Sequence, residues 1–131
     1  MAGVAAVVLS GCSMGTDLPL AGGAIDAFHQ ALNNGDFHGI YAASSPEMRR
    51  AASESDLTKL LAAVHRKLGL FQSGKMQGFQ DSETTSGHFV IERYAAKYAQ
   101  GDASETFTYR IDGARASLAG YNINSTALIE G

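Results

Sequence analysis

Apolar positions recur at helical steps from Ala24 onward. Ile25, Phe28 and Leu32 are spaced by three and four residues, and Asp26 falls in the first turn, where a carboxylate suits the helix dipole. Asn33-Asn34-Gly35-Asp36 ends this helix, with Gly35 as a left-handed cap. A short second helix over residues 37–43 places Phe37, Ile40 and Tyr41 on one side. Ser44-Ser45-Pro46-Glu47 combines a hydroxyl cap, a Pro at the first helical position and an acid, which is a restart signal. Ser53-Glu54-Ser55-Asp56 resembles a capping box and opens the longest helix, residues 56–68. Leu57, Leu60, Leu61, Val64 and Leu68 form its stripe, and Gly69 ends it.

Beyond Gly69 the period changes from 3.6 to 2. Residues 71–80 read as a weak strand loosened by Gly74 and Gly78, and residues 81–87 as a polar loop. A strand over 89–98 puts Phe89, Ile91 and Arg93 on one face and Val90, Glu92 and Tyr94 on the other. After a turn at Gly101-Asp102, residues 105–111 alternate clearly, with Phe107, Tyr109 and Ile111 together and Thr106, Thr108 and Arg110 opposite. Asp112-Gly113 signals a tight hairpin into a last strand over 114–123, where Gly120 marks a bulge. Three helices followed by four antiparallel strands predict an α+β domain, its N-terminal helices packed on one face of a four-stranded sheet.

Length and composition narrow the setting. The 131 residues suit one domain, and a formal charge of −3 with a pI near 5.7 offers no basic field for nucleic acid. The chain opens on an apolar run from Ala2 to Leu9, far too short to span a bilayer, and the run leads to the only cysteine. Leu9-Ser10-Gly11-Cys12 resembles the lipobox of bacterial lipoproteins, whose thiol is acylated before the chain is cut ahead of the cysteine. On this reading residues 1–11 are a signal peptide, shortened at its start because no Lys or Arg precedes the apolar run. Residues 12–23 are the acylated cysteine and a tether, and residues 24–131 form the domain. Leu9, Ser10 and Gly11 are what the signal peptidase would recognise. Cys12 would anchor the protein to the membrane, and Ser13 after it implies the outer membrane, facing the periplasm. An acylated Cys12 leaves no thiol for a disulfide.

Several short stretches carry a family resemblance: Asn34-Gly35-Asp36-Phe37, Tyr41, Ser45-Pro46-Glu47-Met48-Arg49, Arg66-Lys67-Leu68-Gly69, Glu105-Thr106, and Asp112-Gly113 with Leu118-Ala119-Gly120-Tyr121-Asn122-Ile123. Together they resemble an uncharacterised family of small bacterial secreted proteins and lipoproteins, itself similar to the nuclear transport factor 2-like (cystatin-like) α+β cone. The resemblance implies a cone-like fold and an exported setting, and no activity. Such sequences carry a Trp shortly after the Asp-Gly turn. Arg115-Ala116 stands there instead, which bears on the depth and lining of a cone cavity.

The chemistry-bearing residues form no established motif. His29, His38, His65 and His88 lack metal-ligand spacing, so no metal is expected; His29 and His65 read as helix-surface or cap residues. There is no phosphate loop and no Gly-x-Ser-x-Gly, and no cofactor is expected. Some cone-fold proteins use an Asp and a Tyr to abstract a proton beside a carbonyl. The corresponding candidates are Tyr41, Tyr94, Tyr109 and Tyr121 with Asp26 or Glu92, although rings that pack the sheet explain the same tyrosines. The expectation is therefore a non-enzymatic protein-binding module at the envelope, such as an immunity protein or inhibitor of a toxin or hydrolase. Its surface would be Tyr94, Tyr98 and Tyr121 with Arg93 and Arg110. The alternative is a small apolar-ligand-binding or structural lipoprotein, in which those rings point inward and line a cavity.

Overall fold

The computed structural model describes residues 13–130. The lipobox residues Leu9, Ser10, Gly11 and Cys12 lie outside that span. Helices α1 (Ser13–Asn33), α2 (Phe37–Ala42), α3 (Pro46–Ala51) and α4 (Glu54–Leu68) precede strands β1 (Phe71–Thr84), β2 (Gly87–Tyr98), β3 (Gly101–Asp112) and β4 (Arg115–Asn124), and a one-turn helix α5 (Thr126–Glu130) follows. The strands form one antiparallel sheet in the order β1-β2-β3-β4. The architecture is α+β, with four helices ahead of the sheet among the described residues rather than three. The extra one is α3, begun by Pro46 after Ser45.

Helix α1 starts well before Ala24. Leu18, Ala21, Ile25, Phe28 and Leu32 continue a single stripe, with Ala21, Ile25, Phe28 and Leu32 buried and Leu18 packed against them. Residues 13–23 of the segment read as a tether are therefore helix. Pro19 and Gly22-Gly23 weaken a helix by about 3 and about 1 kcal/mol per residue. Burying each large apolar side chain of the stripe contributes about 1.5–3 kcal/mol, and the stripe wins. At the other end Gly35 takes φ 72°. There the Asn33 side chain clamps the start of β1, donating from Nδ2 to the Phe71 carbonyl (3.1 Å) and accepting from the Phe71 N–H (2.8 Å).

Helix α4 is capped by Ser53, whose hydroxyl accepts from the Asp56 N–H at 3.1 Å. Leu57, Leu61, Val64 and Leu68 are its buried face, which packs against α1, α2 and α5. In the sheet, Val90, Glu92, Ala96 and Tyr98 of β2 and Ala103, Glu105, Phe107, Tyr109 and Ile111 of β3 are buried under the helices, as the alternation predicts. The expected bulge at Gly120 is present as a register shift opposite Thr108 and Tyr109.

Residues 81–87 are not a loop. β1 and β2 pair up to Thr84 and Gly87, leaving Thr85-Ser86 as a two-residue turn. Polar cross-strand contacts take over where apolar alternation stops. The Thr84 hydroxyl accepts from the Ser86 N–H (3.1 Å), Gly87 adopts φ 145°, and His88 meets Asp81 at 2.6 Å. Helix α5 lies beyond the last strand that the sequence pattern predicts. It is held by Ser125 Oγ donating to the Asp102 carbonyl (2.7 Å) and by Lys67 Nζ donating to the Leu128 carbonyl (3.2 Å). No described helix is long and apolar enough to cross a membrane.

Candidate functional site

The densest polar chemistry lies in the core, between α1 and the sheet. Alternation in β3 puts Glu105 on the same face as Phe107 and Tyr109, and it is 1% exposed. A buried carboxylate demands partners. Its Oε2 accepts from Tyr98 Oη (2.7 Å) and from Tyr121 Oη (2.6 Å), while Oε1 lies 2.8 Å from His29 Nε2. The His29 ring stacks on Phe71, with centroids 3.6 Å apart and planes 5° from parallel, and Phe28 and Phe107 meet it edge-on. Burial and then the Glu105 charge push the Tyr98 hydroxyl far above the ordinary tyrosine range, and the Tyr121 hydroxyl likewise, so both remain donors. Four side chains from α1, β2, β3 and β4 are thereby fixed in one network, closed over by aromatic rings.

Two concavities flank α1. On one side a cleft of about 310 Å³ is lined by Ala24, Ala27, Phe28, Ile40, Tyr109 and Leu118, among others. On the other a groove of about 550 Å³ runs between α1 and the β1–β2 edge, past Leu18, Gly22, Ile25, Met76, Glu92 and Tyr94. Both walls carry a buried polar atom with no hydrogen-bond partner among the described residues: Tyr109 Oη on the cleft side and Glu92 Oε2 on the groove side. Desolvation raises the Glu92 carboxyl above its ordinary range. It also raises the Tyr94 phenol, helped by the charges of Asp26, Glu105 and Glu92.

Burial is the cause of the Glu92 shift. A raised folded-state carboxyl pKa means the native state binds the extra proton. Stability is then full below the unfolded-state pKa and falls as pH rises through the folded one. Glu92→Gln is expected to remove that loss, making the variant more stable than the parent at pH 8 by on the order of 1 kcal/mol and equal to it near pH 4. Urea midpoints across pH measure the difference, and parallel curves for the two proteins would refute it.

The structure separates the five residues read as one surface. Tyr98 is 2% exposed and Tyr121 half-buried, both with hydroxyls turned in to Glu105. Tyr94 is half-buried on the same helix-facing side. Arg93 and Arg110 lie on the opposite face. Arg93 is exposed, and Arg110 is bound to Glu47 (2.6 Å) and Asp112 (3.1 Å) over the Phe89 ring. This corrects the expectation of a single aromatic patch, because period-2 alternation sends neighbouring Arg and Tyr to opposite faces. Of the proton-abstraction candidates, Asp26, Glu92 and Tyr94 share the groove, Tyr109 lines the cleft, Tyr121 is held in the network, and Tyr41 is half-buried elsewhere.

His29 is not a helix-surface residue. It flanks the stripe at Phe28 and is carried inward with it, at 2% exposure. The readable signal was Glu105, an acid in register with Phe107, Tyr109 and Ile111. A second cluster escaped sequence reading because its members are far apart along the chain. Asp17 of α1, Asp81 of β1 and His88 of β2 bring three ligand atoms within 4.8 Å of one another, a set that could hold a metal ion.

Residues 26–118 match a family described as "Protein of unknown function (DUF3887)". The chain belongs to this family. The match spans the DUF3887 region from α1 into β4, so it includes His29, Glu92, Tyr98 and Glu105 but not Asp17 or Tyr121. Curated proteins yield no match to the chain.

Proposed function

We propose that this DUF3887 protein is a bacterial envelope lipoprotein, acylated on Cys12 and held at the outer membrane facing the periplasm. In this reading its domain binds a small, largely apolar ligand beside α1 and catalyses no reaction. The groove between α1 and the β1–β2 edge supports the ligand reading: mostly apolar walls carry the exposed Asp26, the Tyr94 phenol and one buried carboxyl, Glu92, whose Oε2 has no partner among the described residues. A pocket that is mostly apolar with a few polar groups on its walls suits a hydrocarbon-rich molecule carrying a hydrogen-bonding group. The inward turn of Tyr94, Tyr98 and Tyr121 points the same way. Against catalysis, among the candidate phenols Tyr121 already donates to Glu105, Tyr109 lines the cleft rather than the groove, Tyr94 is left beside Glu92, and Asp26 is exposed. A cone-like, nuclear transport factor 2-like arrangement belongs to the same proposal.

A second reading, a protein-binding module of the immunity or inhibitor kind, draws on β1. It is an outer strand of 14 residues, and Met76 (41% exposed) and Phe79 (40%) stand open on it. An exposed edge with apolar side chains can accept a strand from a partner.

Native mass spectrometry of the full chain, purified in detergent from its own membranes, separates the two. A small mass released on denaturation and absent from Gly22→Leu supports the groove, since Gly22 lines it and a Cβ there meets nothing within 4 Å. A stoichiometric protein supports the second reading, and a bare chain overturns both. In the same cells, Cys12→Ala is expected to move the protein from the membrane pellet to the soluble fraction with its fold unchanged. Retention in the pellet would remove the lipid anchor from the proposal.

A further inference from the structure

We propose that Asp17, Asp81 and His88 form a binding site for a first-row divalent cation, at the end of the sheet where the β1–β2 hairpin meets the start of α1. The hairpin supplies two of the ligands. In its register Asp81 stands opposite Val90 and Glu83 opposite His88, so Asp81 and His88 rise from the same helix-facing side. Helix α1 then lays Asp17 across them. His88 Nε2 lies 2.6 Å from Asp81 Oδ1 and 3.1 Å from Asp17 Oδ2, and the three donor atoms all fall within 4.8 Å.

The observation that points to a ligand is Asp17. It is 4% exposed, yet its Oδ2 makes no hydrogen bond among the described residues. One imidazole nitrogen carries at most one proton, and here that hydrogen bond goes to Asp81. Asp17 is left with a buried oxygen aimed at the same nitrogen. Two carboxylates and one imidazole around a shared point are poorly served by one proton and well served by one doubly charged ion.

The donor set indicates which ion. One nitrogen and two carboxylate oxygens, without a thiolate, suit Zn²⁺ and its first-row neighbours, whereas Ca²⁺ requires six to eight oxygens. Ligands about 2.1 Å from a tetrahedral ion stand about 3.4 Å apart, so both carboxylate oxygens need to move away from His88 Nε2 by less than an ångström, and the two oxygens already lie within 4.8 Å of each other. Three protein ligands leave a coordination position open. That position can take water or an anionic group of a ligand. The site lies at the Asp17 end of α1, next to the groove that begins at Leu18, and it stands whether or not the groove binds anything.

The test uses the full chain carrying Cys12→Ala, so that a free thiol offers no competing ligand. Calorimetric titration with ZnCl₂ at pH 7.5 is expected to give one bound ion per chain. His88→Gln and Asp17→Asn are each expected to weaken binding at least tenfold, while Glu54→Gln, which breaks the exposed His38–Glu54 pair, leaves it unchanged. Loading with Co²⁺ adds a second readout: the parent is expected to show a visible absorption band of a nitrogen–oxygen tetrahedral or five-coordinate centre, and His88→Gln to lose it. If Asp17→Asn fails to fold, the Co²⁺ spectra of the parent and His88→Gln decide. The proposal is overturned if no ion binds, or if binding and spectrum survive in His88→Gln. The three residues would then be an ion-pair staple between α1 and the hairpin.

Discussion

Glu105→Ala is expected to lower unfolding free energy by about 3–5 kcal/mol, because removing one member of a buried, hydrogen-bonded ionic cluster strands the others. Glu105 accepts from Tyr98 and Tyr121 and faces His29, all beneath the α1 layer. In the alanine variant two phenols and an imidazole remain buried with no acceptor, and each bears a desolvation penalty of about 1–3 kcal/mol. Against the 5–15 kcal/mol typical of a domain this is a large fraction. Glu105→Gln, which keeps an oxygen for the two phenols but turns an amide toward His29, is expected to lose less. Denaturant midpoints give the comparison. An alanine variant within 1 kcal/mol of the parent would mean that water enters and satisfies these groups.

Phe107→Ala is expected to be comparably severe, about 3–5 kcal/mol, through a different mechanism. Phe107 is fully buried at the centre of the aromatic layer, with ring centroids 5.1 Å from Phe28, 5.2 Å from Tyr121 and 6.0 Å from Tyr109. Truncation removes apolar contact and leaves a cavity whose walls are held by the Glu105 hydrogen bonds, so collapse is limited. Leu60→Ala, on the exposed side of α4, is the control and is expected to change stability by about 0.5 kcal/mol or less. Equal losses in the two variants would mean that the core lies elsewhere.

Some of the candidate site was readable from residue order. Glu105 falls in step with Phe107, Tyr109 and Ile111, and a period of 2 then forces an acid into the apolar face. Glu92 follows Val90 inward for the same reason. His29 was harder to read, because a residue at the border of a helical stripe is buried or exposed according to the width of the surface it meets. Here that surface is Phe71 and Phe107, supplied from more than forty residues away in β1 and β3. The aromatic patch failed on the same arithmetic that placed the strands: Arg93 and Tyr94 are neighbours in the chain and therefore occupy opposite faces of the sheet.

What the sequence determined by itself was local and periodic: the helix stripes, the caps at Gly35 and Ser53, the Asp112-Gly113 turn, the order of strands and the inward register of β2 and β3. Each depends on residues within a few positions of one another, where sterics and burial act directly. Tertiary structure alone decided that α1 runs through Pro19 and Gly22-Gly23, because the energy that holds that segment helical comes from the sheet beneath it. It alone brought Asp17 to Asp81 and His88, and His29 to Glu105. Such pairings carry no period, and they exist only once a helix has been laid across a twisted sheet.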